Sequence, residues 1–132
     1  GPANGVSHRT PAGSLPARDV RNLQRAKAAV AGGIRGRLVQ RGVTADDIAS
    51  VELAGGFGNY LSPENVVRIG MLPRACLSKI RPLGNTALAG ASMLALDGEN
   101  WRKLAEIPEK CRYLEPSGRD DFSRAFTDSL TF

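Results

Sequence analysis

Residues 51–64 run Val51-Glu52-Leu53-Ala54, then Gly55-Gly56-Phe57-Gly58-Asn59-Tyr60, then Ser62-Pro63-Glu64. A short strand, a glycine loop and a helix start in immediate succession leave few folds open. A strand that passes into a helix rather than a hairpin needs a parallel neighbour, which places the chain in an α/β layer structure. The helix start is fully written: Ser62 as N-cap, Pro63 at N1 and the Glu64 carboxylate in the first turn. A second such unit follows. A strand over about residues 79–83 ends at Gly84-Asn85, and Asn85 caps a helix from Thr86 to about Leu96 rich in small residues.

The other elements fit around these two units. Val20, Leu23, Lys27, Val30, Ile34 and Leu38 recur at helical spacing, which predicts a helix from an N-cap at Asp19 to about Arg41, stopped by Gly42. Gly32-Gly33 in its middle costs about 1 kcal/mol per glycine relative to alanine, so either something packs very close there or the helix kinks. Thr44 and Asp47 read as a cap and N3 pair starting one helical turn. Further helices are expected from about Glu99 to Lys110, with Pro108 weakening its end, and from about Asp120 to Leu130. A strand at Arg112-Tyr113-Leu114-Glu115 and a Pro116-Ser117-Gly118 turn lie between them, giving three strands in all. Residues 1–17 are rich in Pro, Gly and Ser and read as tag remnant and linker, with an extended stretch at Val6-Ser7-His8; Gly1-Pro2 looks like a protease scar. The domain proper then spans residues 18–132. A thin sheet and a lone basic helix suggest half of a larger α/β domain.

Composition removes several functions. The chain has 132 residues, 42% of them hydrophobic, but 17 are alanine and only 5% of the chain is aromatic, which favours helices packed through small side chains. Its apolar runs are far too short to cross a membrane. The net charge of +5 is uneven: residues 1–41 hold eight Lys/Arg against one acid, and the rest ten against twelve. Basic charge on one helix, without an aromatic platform or binding motif, reads as a solvated or docking face and argues against nucleic acid. Cys76 and Cys111 fit neither a disulfide framework nor a metal pair, and with His8 the only histidine no Ser/His/Asp or Cys/His site can form. No metal-binding or catalytic residue is assigned. Two reduced thiols suit a cytoplasmic protein.

The glycine loop carries the chemistry. Glycines let backbone N–H groups approach a phosphate or ribose with no Cβ in the way, and a helix N-terminus beyond favours an anion. A tight strand-to-helix turn without a ligand is the other reading. The loop is not a Walker A sequence, because no Gly-Lys-Ser/Thr follows, and it lacks the dinucleotide spacing. Gly84-Asn85-Thr86 reads as a structural cap, Trp101 with Leu104 as a packing pair, and Asp120-Asp121 as charges that complement a helix dipole.

Four separated segments occur in order: residues 19–29 (DVRNLQRAKAA), 53–61 (LAGGFGNYL), Pro63-Glu64-Asn65 with Arg68-Ile69-Gly70, and 84–91 (GNTALAGA). With the closing Phe122, Phe126 and Leu130 they resemble the C-terminal part of the reductive activators of corrinoid enzymes, in the acetate and sugar kinase/heat-shock chaperone/actin superfamily. The resemblance implies half of an actin-like, ribonuclease H-like ATPase domain with a small, mostly parallel sheet flanked by helices. It implies a parent protein in which a [2Fe–2S] domain upstream passes an electron to a corrinoid protein, and ATP with Mg²⁺ drives reduction of cob(II)alamin to cob(I)alamin for methyl transfer. It further implies that Gly55, Gly56, Phe57, Gly58 and Asn59 line ATP or ADP, with Gln24 and Lys27 towards the adenine, although Lys27 also reads as a plain exposed or snorkelling lysine. The expected partners are the remaining lobe of the ATPase domain and, through the parent, a corrinoid protein. The cluster cysteines, the opposing phosphate loops and a Mg²⁺-holding acid of the family pattern are not found among these residues, so ATP hydrolysis by this stretch alone is not expected. The alternative is a non-catalytic interaction or dimerisation module whose glycine loop is only structural.

Overall fold

A computed structural model describes residues 7–10, 13–56, 60–113, 115 and 118–132. The elements are β1 (Ser7–Thr10), β2 (Gly13–Pro16), α1 (Ala17–Arg41), β3 (Val51–Ala54), α2 (Pro63–Arg68), a 3₁₀ helix (Arg74–Lys79), β4 (Ile80–Gly84), α3 (Thr86–Leu96), α4 (Glu99–Lys110) and α5 (Asp120–Asp128).

The two strand–helix units form as the sequence requires. β3 and β4 pair in parallel, with Val51 opposite Ile80 and Glu52 opposite Arg81; the register shifts between Leu53 and Ala54, next to Pro82. The Ser62 side chain accepts from the Asn65 amide at the start of α2, and the Asn85 side chain accepts from the Leu88 amide at the start of α3. The family-level expectation of an α/β architecture with a small parallel sheet among helices describes the chain.

α1 begins at Ala17, two residues before the expected cap, so Asp19 lies in the first turn and complements the helix dipole instead of capping it. The helix ends where expected. Gly42 adopts φ +64°, and the amides of Gly42 and Val43 donate to the carbonyls of Val39 and Leu38 at 3.0 and 3.1 Å. Close packing explains the first of its two glycines only: a Cβ on Gly32 would stand 3.0 Å from the Phe126 backbone nitrogen, whereas a Cβ on Gly33 would meet nothing within 4 Å. α5 therefore crosses α1 at backbone contact, over buried Ala28, Ala31 and Gly32, with Phe122 and Phe126 stacked at 6.1 Å between ring centroids. Val66, Leu72 and Cys76 make a second small core between α2 and the 3₁₀ helix.

Several expectations need correcting. Within the expected linker, the extended stretch read at Val6-Ser7-His8 is a strand at Ser7 and His8, with Val6 outside the described residues. It runs on to Thr10 and forms an antiparallel hairpin with β2, in which His8 pairs with Leu15 and Thr10 with Gly13. Arg112, Tyr113 and Glu115 are not in a strand, so the parallel sheet has two strands among the described residues rather than three; Leu114, Pro116 and Ser117 lie outside them. Thr44 and Asp47 form a turn instead of a helix. There the Asp47 carboxylate accepts from both the Thr44 amide and hydroxyl at 2.8 Å, which holds its pKa below the ordinary carboxylate value. The 3₁₀ helix, introduced by Pro73, has no counterpart in the sequence reading.

Candidate functional site

Parallel strands bring their carboxyl ends to one edge, and ligands of open α/β sheets bind outside that edge. Here β3 and β4 end side by side, and the Gly55 amide donates to the Gly84 carbonyl at 2.9 Å. Both glycines are in the left-handed region, Gly55 at φ +100° and Gly84 at φ +70°. α2 and α3 then start from this edge with capped N-termini. Gly55 is thus held by the sheet, and Ser62 caps the helix that follows the loop in sequence.

Gly55 and Gly56 differ in what they need. Gly55 needs glycine for its backbone conformation, and its amide is already used. Gly56 has no positive φ, and a Cβ there would meet nothing within 4 Å. Among the described residues, nothing in the fold demands glycine at position 56. Phe57, Gly58 and Asn59, which the sequence places in the same site, lie outside the described residues.

The α1 candidates sit differently from the expectation. Gln24 is half-buried. Lys27 is neither exposed nor snorkelling: it is 1% exposed, its ammonium donates to the Thr131 carbonyl, and the Phe132 ring lies over it at 5.0 Å from Nζ to centroid. Burial first, and Arg35 second, lower the Lys27 pKa below its ordinary value. On its other side Nζ is 3.5 Å from where a Cβ on Gly70 would stand. The structure therefore joins Lys27 to the end of α2 and to the last residues of the chain. Among the described residues, no hydrogen bond or ion pair links Gln24 or Lys27 to the glycine loop. The helical spacing that groups Lys27 with Leu23, Val30 and Ile34 already put it on the inward stripe, but its acceptor, 104 positions away, was not legible.

Several cavities flank α1, and two of them reach its buried residues. One of about 290 Å³ lies over Gly33, Gly36 and Phe122 with Arg37, Arg112 and Arg119 around it. Arg119 is held there by a bidentate pair to Asp121, at 3.0 and 2.9 Å. The pairing keeps the Asp121 carboxyl below and the Arg119 guanidinium above its usual pKa. The other, of about 230 Å³, runs from Ala31 and Arg35 to Gly70 and Arg74, next to Lys27.

The chemistry of a bound redox centre does not fit these residues. Cys76 is buried in the 3₁₀ helix and Cys111 is exposed at the end of α4, and two thiols cannot furnish the four thiolates of a [2Fe–2S] cluster. Among the described residues no group of three or more His, Cys, Asp or Glu side chains could hold a metal ion, and no helix is long and apolar enough to cross a membrane.

Comparison with known proteins gives a consistent result. The family described as "C-terminal domain of RACo the ASKHA domain" matches residues 9–132. The corrinoid activation enzyme RamQ of Eubacterium limosum is 34% identical over 115 residues, which cover 87% of this chain and 19% of RamQ. The solved structure of a reductive activator for corrinoid, iron-sulfur protein matches with a TM-score of 0.81 and 34% identity, over 89% of this chain and 19% of that one. The chain spans about a fifth of the length of these relatives.

Proposed function

The chain belongs to the family of the C-terminal ASKHA domain of RACo, and on that premise we propose that it supplies the carboxyl-terminal half of a nucleotide cleft in an ATP-dependent reductive activator of corrinoid proteins. The parent would reduce cob(II)alamin to cob(I)alamin in a cytoplasmic methyl-transfer system, with a corrinoid protein as its partner. Its [2Fe–2S] cluster would belong to a separate domain, since this chain lacks the thiolates for it. When bound, ATP with Mg²⁺ supplies the phosphoryl-transfer free energy that drives the uphill electron transfer.

The observation that carries the nucleotide reading is Gly56, an open position whose glycine the fold does not require. A missing Cβ at the carboxyl edge of a parallel pair leaves space for a ribose or phosphate against the backbone. In this reading Gly55 shapes the loop, and Gly56, Phe57, Gly58 and Asn59 face the nucleoside. Gln24 stands on the adenine side. Lys27 acts from behind, tying α1 to Thr131 and Phe132. Phosphoryl transfer also needs a held metal and charge opposite the γ-phosphate, so the stretch alone should release no phosphate above blank.

One observation favours the alternative, a structural loop in an interaction module: Gly55 has the positive φ that a bare turn needs. The test therefore compares the two neighbours. Gly55→Ala should lower stability by about 1 kcal/mol or more, while Gly56→Ala should melt like wild type. Adding ADP should move amide resonances of residues 55–60 in wild type, with a Kd on the order of 0.1–1 mM, roughly −5.5 to −4 kcal/mol. Those shifts should vanish in Gly56→Ala. Unchanged wild-type spectra at millimolar ADP would leave the loop purely structural.

A further inference from the structure

α3 contains no Asp, Glu, Lys or Arg in its eleven residues, yet none of them is buried. A helix that is apolar all round belongs in the interior of a larger body. At roughly 100° per residue, Gly90, Met93 and Leu94 share one side, and Leu88, Ala89, Ser92 and Leu96 share the opposite one. The first face is half-covered and meets α4 across an apolar groove that includes Leu104 and Ile107. The second is bare: Leu88 and Leu96 are 64% and 87% exposed.

We propose that this bare face of α3 is the seam on which an apolar layer from the preceding part of a longer ATPase polypeptide closes. Three observations select that occupant. The relatives are about five times longer than this chain, so the missing layer has a source. β3 and β4 form a two-stranded parallel sheet, and parallel sheets are covered on both faces within larger α/β domains. A protein–protein interface keeps a polar, charged rim around an apolar centre; α3 has no charge with which to make one, which disfavours a second copy or a transient partner. Ala89 and Ser92 between the larger side chains allow the covering layer to approach closely.

The inference rests on the reading of this chain as one part of a longer ATPase, and its test uses no nucleotide, so it can fail independently of the glycine loop. Leu88→Cys and Leu96→Cys would be placed separately in a Cys111→Ser background, with buried Cys76 left in place, and labelled with a maleimide. Glu109→Cys on α4 serves as an exposed control. In the 132-residue chain all three sites should label rapidly. In the chain extended at its amino end by its own upstream residues, positions 88 and 96 should slow by about tenfold or more, independently of protein concentration, while position 109 stays fast. Equal rates in the two chains would overturn the proposal. So would slowing in the short chain that grows with concentration, because a second copy would then be the occupant.

Discussion

α1 carries seven basic residues and one acid, and α3 carries no charge, yet α1 is the helix with a buried face. α1 places Lys27, Ala28, Ala31 and Gly32 under α5 and the last residues of the chain, at backbone-to-backbone approach. α3 and α4 leave every residue at least partly in water, Trp101, Leu104 and Ile107 included. Burial in this chain thus follows the presence of a partner element, and composition alone does not report it. Small side chains close the α1–α5 crossing because both helices are here. The same kind of side chain on α3 meets no covering layer among the described elements.

The crossing is where substitution should do most damage. Gly32→Val puts a branched side chain against the Phe126 backbone, which cannot rotate away as a flexible side chain could. Overpacking should cost roughly 2–3 kcal/mol, read as a lowered midpoint in denaturant melts. An unchanged midpoint would mean that α5 is loosely held and that the two regions differ less than their burial indicates.

Lys27 sharpens the comparison through pH. Its folded pKa lies below the unfolded value of 10.5 because burial disfavours the ammonium. The unfolded chain therefore binds more protons in the window between the two values, and stability contributed by this group rises with pH there. It is complete above the unfolded pKa and lost as pH falls through the folded one. The difference in stability between wild type and Lys27→Met should accordingly shift in favour of wild type on going from neutral pH towards 10.5. A difference independent of pH over that range would mean that Lys27 titrates as it does unfolded.

How much of this was legible follows range along the chain. Caps at Ser62 and Asn85 and the stop at Gly42 are local chemistry, and each stands where the residues put it. Gly32-Gly33 announced a close approach or a kink, but only the fold says that Gly32 alone is crowded, and by Phe126. Residues 112–115 read as a strand, but a strand is made in the folded sheet, and among the described residues Arg112, Tyr113 and Glu115 belong to none. Ser7-His8 reads as extended, but its pairing with β2 escaped because strands of four residues are too short for a period to emerge from Pro- and Gly-rich sequence. At the candidate site, the strand–loop–helix order and the family were readable. The division of labour between Gly55 and Gly56 was not, since two adjacent glycines look alike until their backbone angles are known.

A smaller effect, of opposite sign, is expected one residue from the crowded glycine. Gly33 is helical, and a Cβ there has open space. Gly33→Ala should raise stability by about 0.5–1 kcal/mol, the difference in helix propensity. A loss instead of a gain would show that the tight crossing extends past Gly32 and that the adjoining cavity closes in solution.

The smallest effect belongs to α3, and it is the other half of the comparison. Leu96 is 87% exposed, so replacing it by Glu removes almost no buried surface within this chain. The melt of Leu96→Glu should stay within about 0.5 kcal/mol of wild type, as for surface sites in general. Solubility should rise with the added charge. If Leu96→Glu instead melts as early as Gly32→Val, then α3 already packs against something in the isolated chain, and the contrast between a closed and an open half fails.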